Sequence, residues 1–415
     1  MGKYWLYLES YSFVFCETTK TLFYNSLSGA YFILPNNNLI NGIVTKLTDP
    51  VEMYCTEISK EESEIGEIAS FIFLLQNNFI GDVIDQKVLP TKPVIIYPQL
   101  RIIESIENLL KEQEDSVGKN IKSYLHKIII QITDKCNLNC VNCNSVYKQV
   151  TTCNSMYGTE LSFFTIQKLL DSIIESPVHT IFLKGGNPFL YTEFDNLYNY
   201  IELNKNKKFS FLCNNMHLSS LSEEMLIKLA GLTNMILIIQ FFSCPNMSDF
   251  VLIAAKLSEY KLNYEYNFFY SNDFEYNSIT CLCEDLSVHS YIIRPIVREG
   301  ENINDDIYID DEVIFLNKSS KKDIFRRQAL NVIDFGTVNV FANGNVFANV
   351  NMPKLGNIND SSITELLQYE LLNGHSWFRI RNQKPCNNCV YQWLCPSPSS
   401  YELVINKPNL CRVKQ

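Results

Sequence analysis

Between residues 126 and 297, apolar stretches of strand length recur with amphipathic helical stretches between most of them. This alternation limits the fold more than any other feature of the chain. The strand candidates are His126–Ile132, Thr180–Leu183, Phe209–Cys213, Met235–Phe241, Tyr264–Tyr270 and Tyr291–Val297. Ile166, Leu169, Leu170, Ile173 and Ile174 mark one apolar helical face, and Phe250, Ile253, Ala254 and Leu257 another. Parallel neighbours need a crossover, which a helix supplies, so the pattern predicts an α/β body of six parallel βα units over 123–328. In such bodies functional groups gather at the carboxyl ends of the strands.

The flanking segments read differently. Residues 1–100 predict a small α/β domain: the apolar runs Tyr4–Phe15 and Thr21–Phe32 enclose a turn at Glu17–Lys20, as in a hairpin. Helices are expected over Asn38–Leu47 and Ile65–Asn78. Residues 101–122 contain the Glu- and Lys-rich run of a solvated linker helix. An acidic insert, Glu299–Glu312, precedes a cysteine-rich C-terminal domain over 329–415.

The chain has 35 Lys and Arg against 45 Asp and Glu, a formal charge of −10. Phosphate backbones are bound by cations, so nucleic acid is not an expected partner. The longest apolar run, near Met235–Phe242, is broken by Gln240 and is too short for a membrane span. The opening MGKYWLYLESYS has no basic segment leading into an apolar core, and position 6 is Leu, not a hydroxyl residue. No membrane partner and a cytoplasmic location are expected.

Fourteen cysteines then need a role, since a reducing cytosol disfavours a disulfide framework. Cys136, Cys140 and Cys143 form one group, spaced Cys-x3-Cys-x2-Cys after the first strand of the body. Cys386, Cys389, Cys395 and Cys411 form another. Thiolates at such spacing select iron–sulfur or zinc, and both remain open for each group on spacing alone. Among the scattered cysteines, the Cys281/Cys283 pair and Cys153 are the loose candidates. The second strand runs from Ile181 through Lys184 into Gly185-Gly186-Asn187-Pro188, a turn whose glycines allow a backbone to approach closely. The third ends in Cys213-Asn214-Asn215. The five histidines carry no motif context, and each reads as a packed or surface residue.

Three cysteines at this spacing after the first strand resemble the radical S-adenosylmethionine (SAM) superfamily. The resemblance implies a partial (β/α)6 barrel and a [4Fe-4S] cluster on Cys136, Cys140 and Cys143. One iron is then left open for the methionine end of SAM, whose reductive cleavage gives a 5′-deoxyadenosyl radical. Gly185, Gly186, Asn187, Pro188 and Asn214 would bind SAM. Two positions depart from the family: Asn142 stands where an aromatic residue is usual, and Asn187 replaces the glutamate of Gly-Gly-Glu-Pro. A neutral acceptor for the SAM ammonium is weaker than a charged one.

The C-terminal group, Cys-x2-Cys-x5-Cys with a distant fourth cysteine, resembles the SPASM module. It implies one auxiliary [4Fe-4S] cluster on Cys386, Cys389, Cys395 and Cys411. The module's other cluster has lost its ligands, with Asn349 and Ser399 at two of its positions. The whole chain resembles the pseudo-radical-SAM/SPASM proteins of GG-Bacteroidales natural-product systems. The matching stretches are Lys3–Glu9, Leu22–Gly29, Phe325–Asn331 and Cys389–Pro398. That resemblance implies a peptide maturase acting on a ribosomally made precursor with a Gly-Gly leader, supplied by an external electron donor. The N-terminal domain is similar to a winged-helix-like precursor-recognition element. The alternative implied by "pseudo" is a non-catalytic iron–sulfur protein that presents the precursor to a partner maturase.

Overall fold

The computed structural model describes residues 2–100, 118–140, 143–155 and 158–413. At the N-terminus, β1 (Lys3–Leu8), β2 (Ser12–Cys16), β3 (Lys20–Asn25), β4 (Tyr31–Pro35), β5 (Cys55–Ser59) and β6 (Gly81–Asp85) form two antiparallel sheets, ordered β5-β1-β6 and β2-β3-β4. The turn expected at Glu17–Lys20 joins β2 to β3, with the Glu17 amide donating to the Lys20 carbonyl at 3.0 Å. The apolar run before it divides. A turn closed by the Ser12 amide on the Glu9 carbonyl, 2.9 Å, sends β1 into the other sheet.

The helix Asn38–Thr48 starts at Asn37, whose side chain accepts from the Ile40 amide. Together with the helix Gly66–Asn77 it buries Ile40, Ile43, Ile68 and Phe71 around Phe23 and Phe32. Burying each such side chain contributes roughly 1.5–3 kcal/mol. The alternate residues of β3, Leu22 and Tyr24, face the other way onto Ile324, Val390, Tyr391 and Leu394. The N-terminal unit is thus packed against the C-terminal cysteine region, and the Tyr24 hydroxyl donates to the Ser319 carbonyl at 3.0 Å.

All six expected body strands form: β7 (Lys127–Gln131), β8 (Thr180–Lys184), β9 (Lys208–Asn214), β10 (Met235–Phe241), β11 (Tyr264–Tyr270) and β12 (Tyr291–Pro295). They are parallel and lie in chain order, with helices between them, in an α/β sheet. The same sheet continues past β7 into the C-terminal region. There β13 (Thr337–Val340) pairs with β7 in parallel, and β14 (Asn345–Phe347) and β15 (Gly356–Asn357) follow antiparallel. The turn between β13 and β14 holds Gly344 at φ +83°, a left-handed conformation that glycine adopts without strain. The linker-helix expectation for 101–122 lies outside the described residues up to 117, and Ile121–Tyr124 is a single 3-10 turn. Among the described residues no helix is long and apolar enough to cross a membrane.

Side chains alternate across each strand, so one face of this sheet packs on helices and the other looks into the concave interior. Ile128, Ile130, Ile181, Leu183, Phe209, Phe211, Leu237 and Ile239 belong to the apolar core. The intervening positions Gln131, Lys184, Asn214 and Gln240 near the strand ends, and Asn267 midway along β11, are polar and all buried. Gln131 is the register partner of Lys184, and Gln240 of both Asn214 and Asn267, so they form a polar layer beneath the strand ends. A parallel sheet covered on both faces is ordinarily apolar throughout. This layer is the departure that locates the site.

Candidate metal centre

Two loops leave the carboxyl ends of β7 and β8 and are joined by backbone hydrogen bonds. The Gly186 amide donates to the Thr133 carbonyl at 3.1 Å and the Asn187 amide to the Lys135 carbonyl at 2.7 Å. A Cβ on Gly186 would lie 2.5 Å from the Lys135 carbonyl oxygen and 2.7 Å from the Cys136 Cβ. One on Gly185 would lie 2.8 Å from the Thr133 carbonyl oxygen. The glycines are thus required by the approach of the cysteine loop itself. Gly186→Ala should destabilise this junction by about 1–3 kcal/mol, the usual range for forced overpacking. Urea unfolding and iron content would both report it, and wild-type values for both would contradict the packing described.

Asn187 is buried, and its side chain accepts from the Phe189 amide at 3.1 Å while donating to the Asn137 side chain at 3.3 Å. It therefore caps the short turn Pro188–Leu190 and touches the cysteine loop. Pro188 opens that turn and is buried. Asn214 ends β9 and caps the helix Asn215–Ser219 by accepting from the Met216 amide at 2.9 Å.

Each sulfur of the first cysteine group meets an N–H donor. Cys136 Sγ accepts from the Leu138 amide at 3.4 Å and lies 3.3 Å from His217 Nε2. Cys143 Sγ accepts from the Ser155 amide at 3.4 Å, and the Asn214 side-chain amide lies 4.0 Å from Cys140 Sγ. Burial pushes the Cys136 and Cys140 thiols up, and neighbouring cysteines of the group push in the same direction. Desolvated thiolates that repel one another are stabilised by a cationic group between them. Among the described residues no three His, Cys, Asp or Glu side chains converge as the ligands of one metal ion do. A four-iron cube asks for no such convergence, because each thiolate takes its own iron. The donor set fits the group.

The second cysteine group has the same character. The Asn409 side chain donates to Cys386 Sγ at 3.4 Å, and burial pushes the Cys395 thiol up to about 12. Cys386, Cys389 and Cys411 all act electrostatically on Cys395, as does the Arg381 guanidinium, which opposes the rise. Arg381 is itself 5% exposed and paired with Glu402 at 2.9 Å. Removing one partner of a buried pair strands the other charge, so Glu402→Ala should lower stability by about 3–5 kcal/mol in urea titration. A loss below about 1 kcal/mol, the level of an exposed pair, would contradict this. Asn349 and the Ser399–Ser400 corner also meet. Asn349 donates to Ser400 Oγ at 3.1 Å and to Asp334 at 3.0 Å, and Arg379 bonds Asp334 and the Ser399 carbonyl.

Sequence reasoning missed a further set. The segment 151–154 threads along the concave face. Its carbonyls accept from Gln240 at 3.0 Å (Thr151), Lys184 at 3.0 Å (Thr152) and Gln131 at 3.0 Å (Asn154). The Cys153 amide donates to Gln240 Oε1 at 3.1 Å and the Asn154 amide to the Gly185 carbonyl at 3.1 Å. Cys153 is buried, and its thiol is raised by burial and then by Cys143, Cys140 and Cys136. Burial lowers Lys184 to about 8. Cys281 and Cys283, by contrast, lie on one helix with the first exposed and the second buried, and make no joint site.

Residues 130–241 match the family model described as the radical SAM superfamily. This stretch is a radical SAM domain. It holds the first cysteine group, the glycine turn and Asn214. Two curated proteins from strains of Methanococcus maripaludis, each named probable GTP 3′,8-cyclase, are 31% and 30% identical to the chain over 119 residues. Each match covers 29% of this chain and 36% of the relative, so the likeness spans about a third of those proteins. The crystal structure of Streptococcus suis SuiB bound to S-adenosylmethionine superposes with a TM-score of 0.51, covering 98% of both chains at 12% identity. At that identity the likeness is one of fold. It extends beyond the radical SAM domain to both flanking regions.

Proposed function

We propose that this protein is an iron–sulfur enzyme that uses SAM to modify a ribosomally made precursor peptide. Cys136, Cys140 and Cys143 would hold a [4Fe-4S] cluster, with Asn187, Asn214 and the glycine turn beside it. When bound, the cluster and SAM would supply a 5′-deoxyadenosyl radical. The observation that carries this reading is that Cys136, Cys140 and Cys143 follow β7 with an N–H donor at each sulfur, two of the thiols being raised by burial, at the strand ends of the radical SAM domain. The chain's own residues would hold the ligands in place, seat SAM against the polar layer and keep bulk water out. Cys386, Cys389, Cys395 and Cys411 would bind an auxiliary [4Fe-4S] cluster with no open position. Among the described residues each N-terminal sheet ends in strands with one open edge, to which a leader with a Gly-Gly end would add as a further strand. An external donor would supply the electron.

One observation favours a second reading. Gln131, Lys184, Gln240 and the Gly185 carbonyl are all engaged by segment 151–154. A chain that covers its own polar layer at the strand ends suits a non-catalytic protein, which keeps its clusters as folding elements and presents the precursor to a partner maturase. Anaerobic reconstitution, followed by dithionite, SAM and the precursor peptide, separates the two. The enzyme reading predicts 5′-deoxyadenosine. Its absence with a fully loaded protein would leave the presenting role.

A further inference from the structure

His217 is 1% exposed and sits in the one-turn helix that follows β9. Its Nδ1 faces the backbone amide of Asn214 at 3.3 Å. An amide can only donate, so Nδ1 is the acceptor and the ring proton of the neutral imidazole is on Nε2. Nε2 lies 3.3 Å from Cys136 Sγ. The backbone of β9 thereby sets the tautomer, and the tautomer points an N–H at one sulfur of the first group. The Leu138 amide gives Cys136 a second donor, while among the described residues the other two sulfurs each face one.

We infer that His217 is a positioning residue that donates from Nε2 to the Cys136 thiolate and raises the reduction potential of the cluster proposed on that group. The inference rests on the cluster assignment above. An N–H donor draws electron density from a thiolate ligand and favours the more negative, one-electron-reduced state, which is how hydrogen bonds to sulfur tune such clusters. The electron comes from the external donor, and no bond is made or broken. Because the imidazole is held by the chain and excluded from water, its direction is fixed before any cluster is inserted.

Two substitutions separate this role from simple capping. Asparagine places its amide near the position of Nδ1, so His217→Asn keeps the bond to the Asn214 amide and loses the reach to Cys136. Glutamine places its amide nitrogen near Nε2, so His217→Gln keeps the donor to sulfur. Wild type and both variants are reconstituted anaerobically, poised with dithionite and followed by EPR. The signal that disappears on Cys136/Cys140/Cys143→Ala identifies the cluster in question. With iron content equal in all three, the midpoint potential should shift to a more negative value in His217→Asn and return towards wild type in His217→Gln. The opposite order, or no shift in either, would overturn the role of His217 and leave the cluster standing. A wild type that takes up no iron would overturn both. A measurement on the unsubstituted protein guards against misfolded variants: with 15N-histidine, pulsed EPR should show one histidine nitrogen coupled to that signal, and an uncoupled signal would refute the inference.

Discussion

Cys395→Ser is expected to abolish the auxiliary cluster and to loosen the C-terminal and N-terminal regions together. The substitution changes a single atom, so packing is nearly preserved and the effect isolates the loss of a ligand. Binding at a structural metal site is folding free energy, on the order of 10 kcal/mol for the tightest small domains. The region around this cysteine has few regular elements to replace it: a 3-10 turn at Cys386–Asn388 and the six-residue helix Ser400–Ile405. Val390, Tyr391, Leu394 and Cys395 itself share one apolar cluster with Phe13, Leu22 and Tyr24 of the first hairpin. Loss of the cluster should therefore open both ends of the chain to trypsin while the βα body stays protected. Iron content should fall by half and the thermal transition should split in two. A Cys395→Ser protein with unchanged iron and a single wild-type transition would contradict the assignment of these four cysteines.

The second large effect concerns Cys140. Cys140→Ala should reduce SAM cleavage to background without unfolding the protein. The residue is only partly buried, in a loop above the strand ends, and the core strands beneath it rest on Ile128, Ile130, Ile181 and Leu183. Circular dichroism and urea midpoint should stay within about 1 kcal/mol of wild type, as for substitutions outside cores and buried networks. Persistent 5′-deoxyadenosine formation in this variant would rule out the first cysteine group as the reactive centre.

The layout of the body was legible in the sequence because parallel βα units carry two strong periodicities. Each of the six apolar runs became a strand, and Ile166, Leu169 and Leu170 lie on the buried side of their helix as their spacing required. The first cysteine group stood out in the sequence because Cys136, Cys140 and Cys143 lie within eight consecutive residues. What escaped was non-local. His217 reads as an isolated histidine until β9 and the cysteine loop are brought side by side. The only local trace of its placement is the three-residue offset from Asn214 that forms a capping box. Gln240 breaks the longest apolar run and marks an inward position, yet its partner, segment 151–154, lies about ninety residues earlier. The division of the first apolar run between two sheets depended on a turn with no glycine or proline to announce it. The role of Gly186 could not be read from its neighbours, because the atom that excludes a side chain there belongs to Lys135.

These points share one premise: a cluster seated on three sulfurs at the mouth of the radical SAM domain. The most direct measurement is iron and acid-labile sulfide per chain, in wild type and in the Cys136/Cys140/Cys143→Ala protein, after identical anaerobic reconstitution. Two clusters in the first and one in the second is the predicted result. Equal iron in the two proteins, or zinc in place of iron, would contradict it.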